Sequence, residues 1–255
     1  MIHLDGVAPS TELRQQLVDE DKPVILNFSR GKDSIAAWIA MLESGMKPHN
    51  IIPIHLSSIP NLRFVKESLA HYEEVFDTKI IDLPSYGIWN NLSRYMYQPP
   101  TRASLLAHTE FARYPRLEWD ALIREEYGEE DTWIVDGVRS ADSPQRRMNF
   151  MRAGTARKDS QRRMSIVWDW QIAEVREAMQ HYGIDPHHPS PEYHWLGRSF
   201  DAIRHDTILG PKKLHKNDGQ PEGMYRDYPD DVETIMQWFP FLRLDFMRAE
   251  MMNNA

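Results

Sequence analysis

Six consecutive residues in the first part of the chain combine side chains that can bind anions. They follow a short apolar run and precede a helical pattern, and they read Ser29-Arg30-Gly31-Lys32-Asp33-Ser34. A glycine-containing turn between a strand and a helix leaves backbone N–H groups unsatisfied at the helix N-terminus, where the helix dipole favours negative charge. Lys32 adds a positive charge, Arg30 adds a guanidinium that can bind two phosphate oxygens, and Ser29 and Ser34 add hydroxyl donors. The segment predicts a phosphate-binding turn. The alternative is a polar turn in which Ser29 and Asp33 only cap the helix.

A second polar segment carries two arginines at the end of another predicted strand. It reads Gly137-Val138-Arg139-Ser140-Ala141-Asp142-Ser143-Pro144-Gln145-Arg146. A guanidinium is a planar fork that matches phosphate or sulfate oxygens, so Arg139 and Arg146 can hold such an anion. Ser143 can donate to the same group. The alternative is a surface loop whose arginines are solvated or pair with Asp136 or Asp142.

The first segment resembles a known phosphate-binding loop. N-type ATP pyrophosphatases and the PAPS reductase family carry a pyrophosphatase loop, or PP-loop, written Ser-Gly-Gly-x-Asp-Ser after their first strand. This chain is similar at Ser29, Gly31, Asp33 and Ser34, whereas Arg30 stands where the family usually has the first glycine. The segment is not a Walker A loop, which needs Ser or Thr directly after Gly-Lys.

The second segment resembles another signature of the same family, Gly-(apolar)-Arg-x-x-(acid or amide)-Ser-x-x-Arg. Gly137, Arg139, Ser143 and Arg146 occupy its fixed positions. Together with a weaker third likeness before the helix that follows, the resemblance covers roughly residues 22–200.

The resemblance implies that the protein binds an adenine nucleotide, ATP with Mg²⁺, and cleaves it between the α- and β-phosphates. The products are pyrophosphate and an adenylylated acceptor whose identity the sequence does not indicate. The departing pyrophosphate then lies against the turn, where the resemblance places Ser29, Arg30, Gly31, Lys32 and Ser34.

The same resemblance gives roles to the other residues of the expected site. Asp33 binds Mg²⁺ or orients the turn. Arg139 and Arg146, with Gly137 and Ser143 beside them, hold the α-phosphate or the acceptor anion. The dipeptide His55-Leu56 contacts adenine through backbone groups.

The chain of 255 residues contains no cysteine. It therefore has no thiolate nucleophile, no Cys-ligated zinc and no Cys-ligated iron–sulfur cluster. The thiol step of a PAPS reductase cannot occur on this chain. The remaining alternatives within the resemblance are a sulfonucleotide (PAPS or APS) enzyme that uses an external thiol and a sulfate adenylyltransferase-like subunit.

The start of the chain does not read as a signal peptide and no apolar run is long enough to span a membrane, so we expect a cytoplasmic setting.

The net charge is −8, yet residues 146–163 contain seven basic residues and one acid, Asp159. This local positive field predicts contact with a polyanion. The polyanion is either the phosphates of a nucleotide or a nucleic acid, which would make the protein a nucleotide-binding regulator or a nucleic-acid-associated protein. A solvated basic loop is the third interpretation. The oligomeric state is not indicated.

Short apolar runs alternate with helical patterns along the chain. Strands are predicted at 23–28, 51–56, 79–83 and 132–136, and helices follow most of them. This alternation predicts an α/β fold: a doubly wound, mostly parallel, five-stranded sheet with helices on both faces. Ligands bind at the carboxyl ends of such strands, and both polar segments lie there.

The chain divides by sequence pattern into three parts. A helix with Ser10 or Thr11 as N-cap is predicted within residues 1–21, a nucleotide-binding α/β domain at 22–185, and an irregular extension with a terminal helix at 186–255. Residues 84–116 are rich in proline and tyrosine and predict an irregular insertion.

Overall fold

The structure is a computed structural model in which residues 1–109, 115–187 and 227–253 are described. Its strands are β1 (Val24–Asn27), β2 (Ile51–Ser57), β3 (Ile81–Pro84), β4 (Ile134–Asp136), β5 (Arg157–Lys158) and β6 (Arg163–Ser165). Its α-helices are α1 (Ser10–Glu20), α2 (Lys32–Glu43), α3 (Arg63–Phe76), α4 (Tyr86–Ser93), α5 (Pro100–Ala107), α6 (Arg116–Tyr127), α7 (Pro144–Ala153), α8 (Ile172–His181), α9 (Pro229–Trp238) and α10 (Leu242–Asn253).

The strands form one mostly parallel sheet in the order β3-β2-β1-β4-β6-β5. β1 pairs in parallel with β2 on one side and with β4 on the other, and β4 pairs in parallel with β6. The chain thus builds outward from β1 to β3 and then crosses back to place β4 beside β1. This is the doubly wound α/β arrangement that the sequence predicts, and the reversal of strand order falls between β1 and β4.

The sheet has six strands rather than the predicted five. β5 is two residues long and runs antiparallel to β6, with Arg157 opposite Met164. β5 lies in the basic stretch and β6 begins at its last residue, and the polar residues there give no strand pattern. β6 is nevertheless buried because the Arg163 guanidinium pairs with the carboxylate of Asp120 at 2.6 Å.

Helix α1 confirms the predicted N-terminal helix but begins differently. Its N-cap residue is Pro9, which gives no side-chain cap, so the prediction of Ser10 or Thr11 as the cap is wrong. Ser10 lies inside the helix, where its hydroxyl donates to Asp169 Oδ1 at 2.5 Å and its backbone N–H donates to Asp169 Oδ2 at 3.0 Å. A distant carboxylate therefore accepts the N–H bond that a local cap would accept.

The segment expected to be irregular contains two eight-residue helices, α4 and α5. Ser85 caps α4 by accepting a hydrogen bond from Gly87 N, and Pro100 starts α5 at a position where its missing N–H costs no helix bond. The prediction of an irregular insertion at 84–116 is wrong for these residues. Residues 110–114 lie outside the described ranges.

The chain separates into two compact units. The first comprises Met1–Leu56, Phe76–Asp82 and Leu117–Pro189, and the second comprises Ser57–Val75, Leu83–Arg116 and Ser190–Ala255. The second unit is thus assembled from three separate stretches of sequence. The sequence-based division at residues 21 and 185 stays a prediction.

Aromatic side chains fill the core of the first unit beside β1. Trp38, on the buried face of α2, meets Phe28 edge-on with ring centroids 5.3 Å apart and stacks on Phe76 at 4.0 Å. Phe76 in turn stacks on Tyr182 at the end of α8. Such pairs add to the apolar area that they bury, and they fix α2 behind the turn that precedes it.

In the second unit, residues of the C-terminal part of the chain contact the first turn of α3. Asp231, in α9, accepts hydrogen bonds from the backbone N–H groups of Arg63 and Phe64 at 2.8 and 2.9 Å. Tyr228 donates to Glu67 at 2.7 Å and meets the ring of Phe64. In the described ranges of both units, the helices lack the length and apolar character needed to cross a bilayer.

Candidate nucleotide-binding site

The residues from Ser29 to Ser34 form the turn between β1 and α2. β1 ends at Asn27, Gly31 is extended and precedes the first helical residue, and Lys32 opens the helix. The turn therefore lies at the carboxyl end of β1, beside the point where the strand order reverses. In open α/β sheets this is the position of the ligand crevice.

A hydroxyl closes the turn from within. Ser34 Oγ donates to the Gly31 carbonyl at 2.8 Å and accepts from the Ser29 N–H at 3.2 Å. Ser29 Oγ lies 3.2 Å from the same Oγ. Ser34 thus shapes the turn instead of pointing a donor outward, whereas the Ser29 hydroxyl can still donate to a ligand. The sequence predicts the same donor role for both hydroxyls, whereas in the structure the Ser34 hydroxyl bonds within the turn.

Gly137 brings the second predicted segment against the turn. A Cβ atom at this position would lie 2.2 Å from the Asp33 carbonyl oxygen and 2.9 Å from the Ser34 nitrogen. No side chain fits there without moving the backbone. The glycine therefore allows the end of β4 to touch the first turn of α2, and this contact unites the two segments in one site.

Asp33 lies between two buried cations. Its Oδ2 is 2.9 Å from Lys32 Nζ, and its Oδ1 is 2.7 Å from Arg139 Nε. The Lys32 and Arg139 side chains are 2% and 1% exposed, whereas that of Asp33 is 25% exposed. Burial of an ion pair is favourable only with close and well-placed partners, so Asp33 fixes the direction of both cations.

Asp142, which follows β4, also lies between two cations. Its Oδ1 is 2.7 Å from Arg139 Nη2, and its Oδ2 pairs with Arg146 Nη1. The Arg146 side chain is 47% exposed, so it reaches the cluster from the solvent side. Ser143 Oγ accepts from the Arg146 N–H and caps α7. Both predicted arginines are paired, as the alternative reading allowed, yet Arg139 also touches the turn.

On the β2 side, three residues link the turn to β3. Arg30 Nε donates to His55 Nε2 at 3.2 Å, and His55 Nδ1 lies 2.8 Å from Asp82 Oδ1. Arg30 and His55 are buried. We call these residues the Asp82–His55–Arg30 chain. The predicted backbone contact of His55-Leu56 with adenine stays a prediction, and Leu56 itself is half-buried.

The basic stretch 146–163 divides into two parts. Arg157 and Arg162 lie over the ring of Trp133, and buried Arg163 pairs with Asp120 and Asp136. These arginines are therefore used inside the fold. On α7, by contrast, every residue except Phe150 is exposed. The exposed residues include the basic residues Arg146, Arg147 and Arg152.

The carboxylates of the cluster do not form a metal cage. In the described ranges no three His, Asp or Glu side chains converge as a metal site would require. Both oxygens of Asp33 face cations, an arrangement that suits a carboxylate that orients Lys32 and Arg139. Mg²⁺ usually keeps several waters and binds through one or two carboxylates plus substrate phosphates, so it would enter with the nucleotide. The prediction of Mg²⁺ at Asp33 stays a prediction.

Comparisons with known proteins give matches among solved structures. No protein-family model and no curated protein matches the chain. Among solved structures, the chain is similar to the U34-tRNA thiolase NcsA from Methanococcus maripaludis with its 4Fe–4S cluster. The two are 12% identical with a TM-score of 0.41 over 92% of this chain and 77% of that chain. This chain has no cysteine with which to bind such a cluster.

Proposed function

We propose that this protein binds ATP with its phosphates at the turn from Ser29 to Ser34 and transfers the adenylyl group to an acceptor. The observation that supports the proposal most is the convergence of buried Lys32 and Arg139 on Asp33 at the N-terminus of α2. A helix N-terminus and two directed cations at a strand-order reversal are groups that bind phosphate anions.

The charge of the cluster suits a polyanionic ligand. Arg30, Lys32, Arg139 and Arg146 face the carboxylates of Asp33, Asp82 and Asp142, which leaves one positive charge in excess while His55 is neutral. The carboxylates hold the cations in place before the ligand arrives. Preorganised cations of this kind stabilise charge that develops on transferring phosphoryl groups.

The proposed reaction moves the adenylyl group in one displacement. An acceptor oxygen attacks the α-phosphorus, the bond from that phosphorus to the bridging oxygen of the β-phosphate breaks, and the electron pair leaves with pyrophosphate. Lys32 and the N–H groups of the turn stabilise the departing pyrophosphate, and Arg139 holds the α-phosphate or the acceptor anion. Mg²⁺ bound with the nucleotide would neutralise part of the phosphate charge.

Calorimetry with ATP tests the site. Lys32→Ala should weaken ATP binding by about 1.5–3 kcal/mol, the range for hydrogen bonds to charged groups. Lys32→Met keeps most of the buried side-chain volume and should lose the same amount, which separates charge from packing. Lys66→Ala, at an exposed position in the second unit, is the matched control. Unchanged ATP affinity in a folded Lys32→Met protein would refute the placement.

A second experiment tests the reaction and its relatives. Radiolabelled ATP is incubated with a panel of acceptors, and released pyrophosphate is measured. PAPS and APS are titrated in the same calorimeter, because a sulfonucleotide enzyme with an external thiol would bind them more tightly than ATP. A sulfate adenylyltransferase-like subunit would release pyrophosphate with sulfate as the acceptor.

The exposed surface of α7 supports a second candidate function, a nucleic-acid-associated protein. Arg147 and Arg152 are exposed on this helix together with Met148 and Met151. Arginines that neutralise phosphates release counterions, so binding to DNA or RNA would weaken steeply with salt. Fluorescence anisotropy with a labelled oligonucleotide at several salt concentrations measures this slope. A slope near zero would exclude nucleic acid as the partner of α7.

A further inference from the structure

Arg30 occupies a backbone conformation that suits glycine. Its φ is +63°, in the left-handed region that L side chains seldom adopt. Glycine adopts this conformation without steric cost, so an arginine here needs a compensating contact. The side chain is nevertheless 3% exposed and directed along the sheet edge to His55.

The chemistry of the three side chains fixes where the proton of His55 resides. The Nε–H of Arg30 can only donate, and an ionised Asp82 carboxylate can only accept. His55 Nε2 must therefore be the acceptor for Arg30, and Nδ1 must carry the proton that it donates to Asp82. The Asp82–His55–Arg30 chain thus requires a neutral imidazole in the Nδ1–H tautomer.

We propose that Arg30 contacts the phosphate chain of the nucleotide and that His55 and Asp82 are positioning residues for its guanidinium. The inference rests on the proposed function. Arg30 belongs to the turn itself and provides the cation on the β2 side of the site, whereas Arg139 provides the cation on the β4 side. Asp82 fixes the His55 tautomer, and the tautomer fixes the plane of the guanidinium through one of its five N–H groups.

Two amides at position 55 separate positioning from general packing. In His55→Gln the amide oxygen reaches the place of Nε2 and accepts from Arg30. In His55→Asn the shorter amide reaches only the place of Nδ1, so it keeps the bond to Asp82 and loses Arg30. We expect His55→Asn to weaken ATP binding about tenfold, the equivalent of one hydrogen bond to a charged group, and His55→Gln to recover most of that loss.

A variant at Arg30, the other end of the Asp82–His55–Arg30 chain, tests the proposal even if His55→Asn does not fold. Arg30→Gly removes the guanidinium and suits the positive φ, so the turn should keep its shape. It should lose ATP affinity to the same extent as His55→Asn. In the Arg30→Gly background, the change from His55→Gln to His55→Asn should have no further effect, because residues that act through one another are not additive.

Nitrogen-15 NMR of the His55 ring gives a readout independent of nucleotide. We expect a neutral ring with the proton on Nδ1 near pH 7.5. A ring with the proton on Nε2, or a doubly protonated ring, would refute the hydrogen-bond arrangement of the Asp82–His55–Arg30 chain. Equal ATP affinity of His55→Asn and His55→Gln would overturn the positioning role while the proposed function stands. If the wild-type protein binds no nucleotide, the proposed function fails and this inference fails with it.

Discussion

The Asp33 carboxylate joins two segments that are more than a hundred residues apart in the sequence, because its Oδ1 lies 2.7 Å from Arg139 Nε. The same carboxylate also contacts Lys32, its neighbour in the chain. One partly exposed acid thus contacts two cations that are almost fully buried, and Asp142 adds a second carboxylate beside Arg139. The stability of the fold and the direction of the binding groups depend on the same side chain.

Asp33→Asn should therefore destabilise the protein even when no metal is present. It leaves two buried cations with less compensating charge, and we expect a loss of about 1–3 kcal/mol in the free energy of unfolding, since Asp33 is partly solvated. Urea denaturation in EDTA-containing buffer measures it. If Asp33 served only as a Mg²⁺ ligand, removal of its negative charge would leave the metal-free stability unchanged.

Gly137→Ala should disturb the junction between the two segments. The new methyl group would meet the backbone of Asp33, which cannot move aside as a flexible side chain could. We expect about 1–3 kcal/mol of destabilisation, typical of overpacking, together with weaker ATP binding. Gly154→Ala is the matched control. Gly154 has open space but a φ of +64°, so that variant should lose about 1 kcal/mol and bind ATP normally.

Arg139→Lys should not restore the function of the arginine. A lysine cannot contact Asp33 and Asp142 and also present a planar fork to an anion. Turnover, measured as pyrophosphate release, should fall more than ATP affinity if the contacts of Arg139 strengthen in the transition state. Arg146→Lys, at a half-exposed position with one carboxylate partner, should lose less of both. Equal effects of the two substitutions would contradict the central place of Arg139.

The two parts of the basic stretch should respond differently to mutation. Arg163→Leu leaves the buried carboxylates of Asp120 and Asp136 unpaired and should cost about 3–5 kcal/mol in thermal or urea unfolding. The double variant Arg147→Ala/Arg152→Ala should leave stability within about 0.5 kcal/mol of wild type. If α7 contacts nucleic acid, the double variant should also lower the salt slope of binding by about 2. A large loss of stability in the double variant would contradict the exposure of α7.

Local sequence pattern was sufficient for the central strands and for both polar segments. β1 and β2 are mostly apolar, with the polar residues Asn27, His55 and Ser57 confined to their carboxyl-terminal parts, and a Gly-containing turn after an apolar run is a short-range signal. The meeting of the two segments follows from one topological rule, that parallel strands share a carboxyl edge. These parts of the prediction depend on neighbours in sequence or on fold class alone.

The features that the sequence does not predict depend on contacts between side chains that are distant in the sequence. β6 contains an arginine that is buried only because Asp120 and Asp136 neutralise it, and no window around Arg163 shows this. The sequence pattern likewise predicts no role for Asp82. Its position at the carboxyl end of a predicted strand, level with the two polar segments, is a signal for a site residue, but its role depends on the contact with His55.

The cap that Asp231 provides for α3 also sets an order of events during synthesis. Arg63 and Asp231 are 168 residues apart, and at about 5–20 residues per second the ribosome would add them roughly 8–34 s apart. For that time the residues of α3 have neither the carboxylate that caps their first backbone N–H groups nor the ring of Tyr228 beside Phe64. The second unit can therefore be completed only after Tyr228 and Asp231 have emerged, so the packing of α3 is delayed until the synthesis of α9.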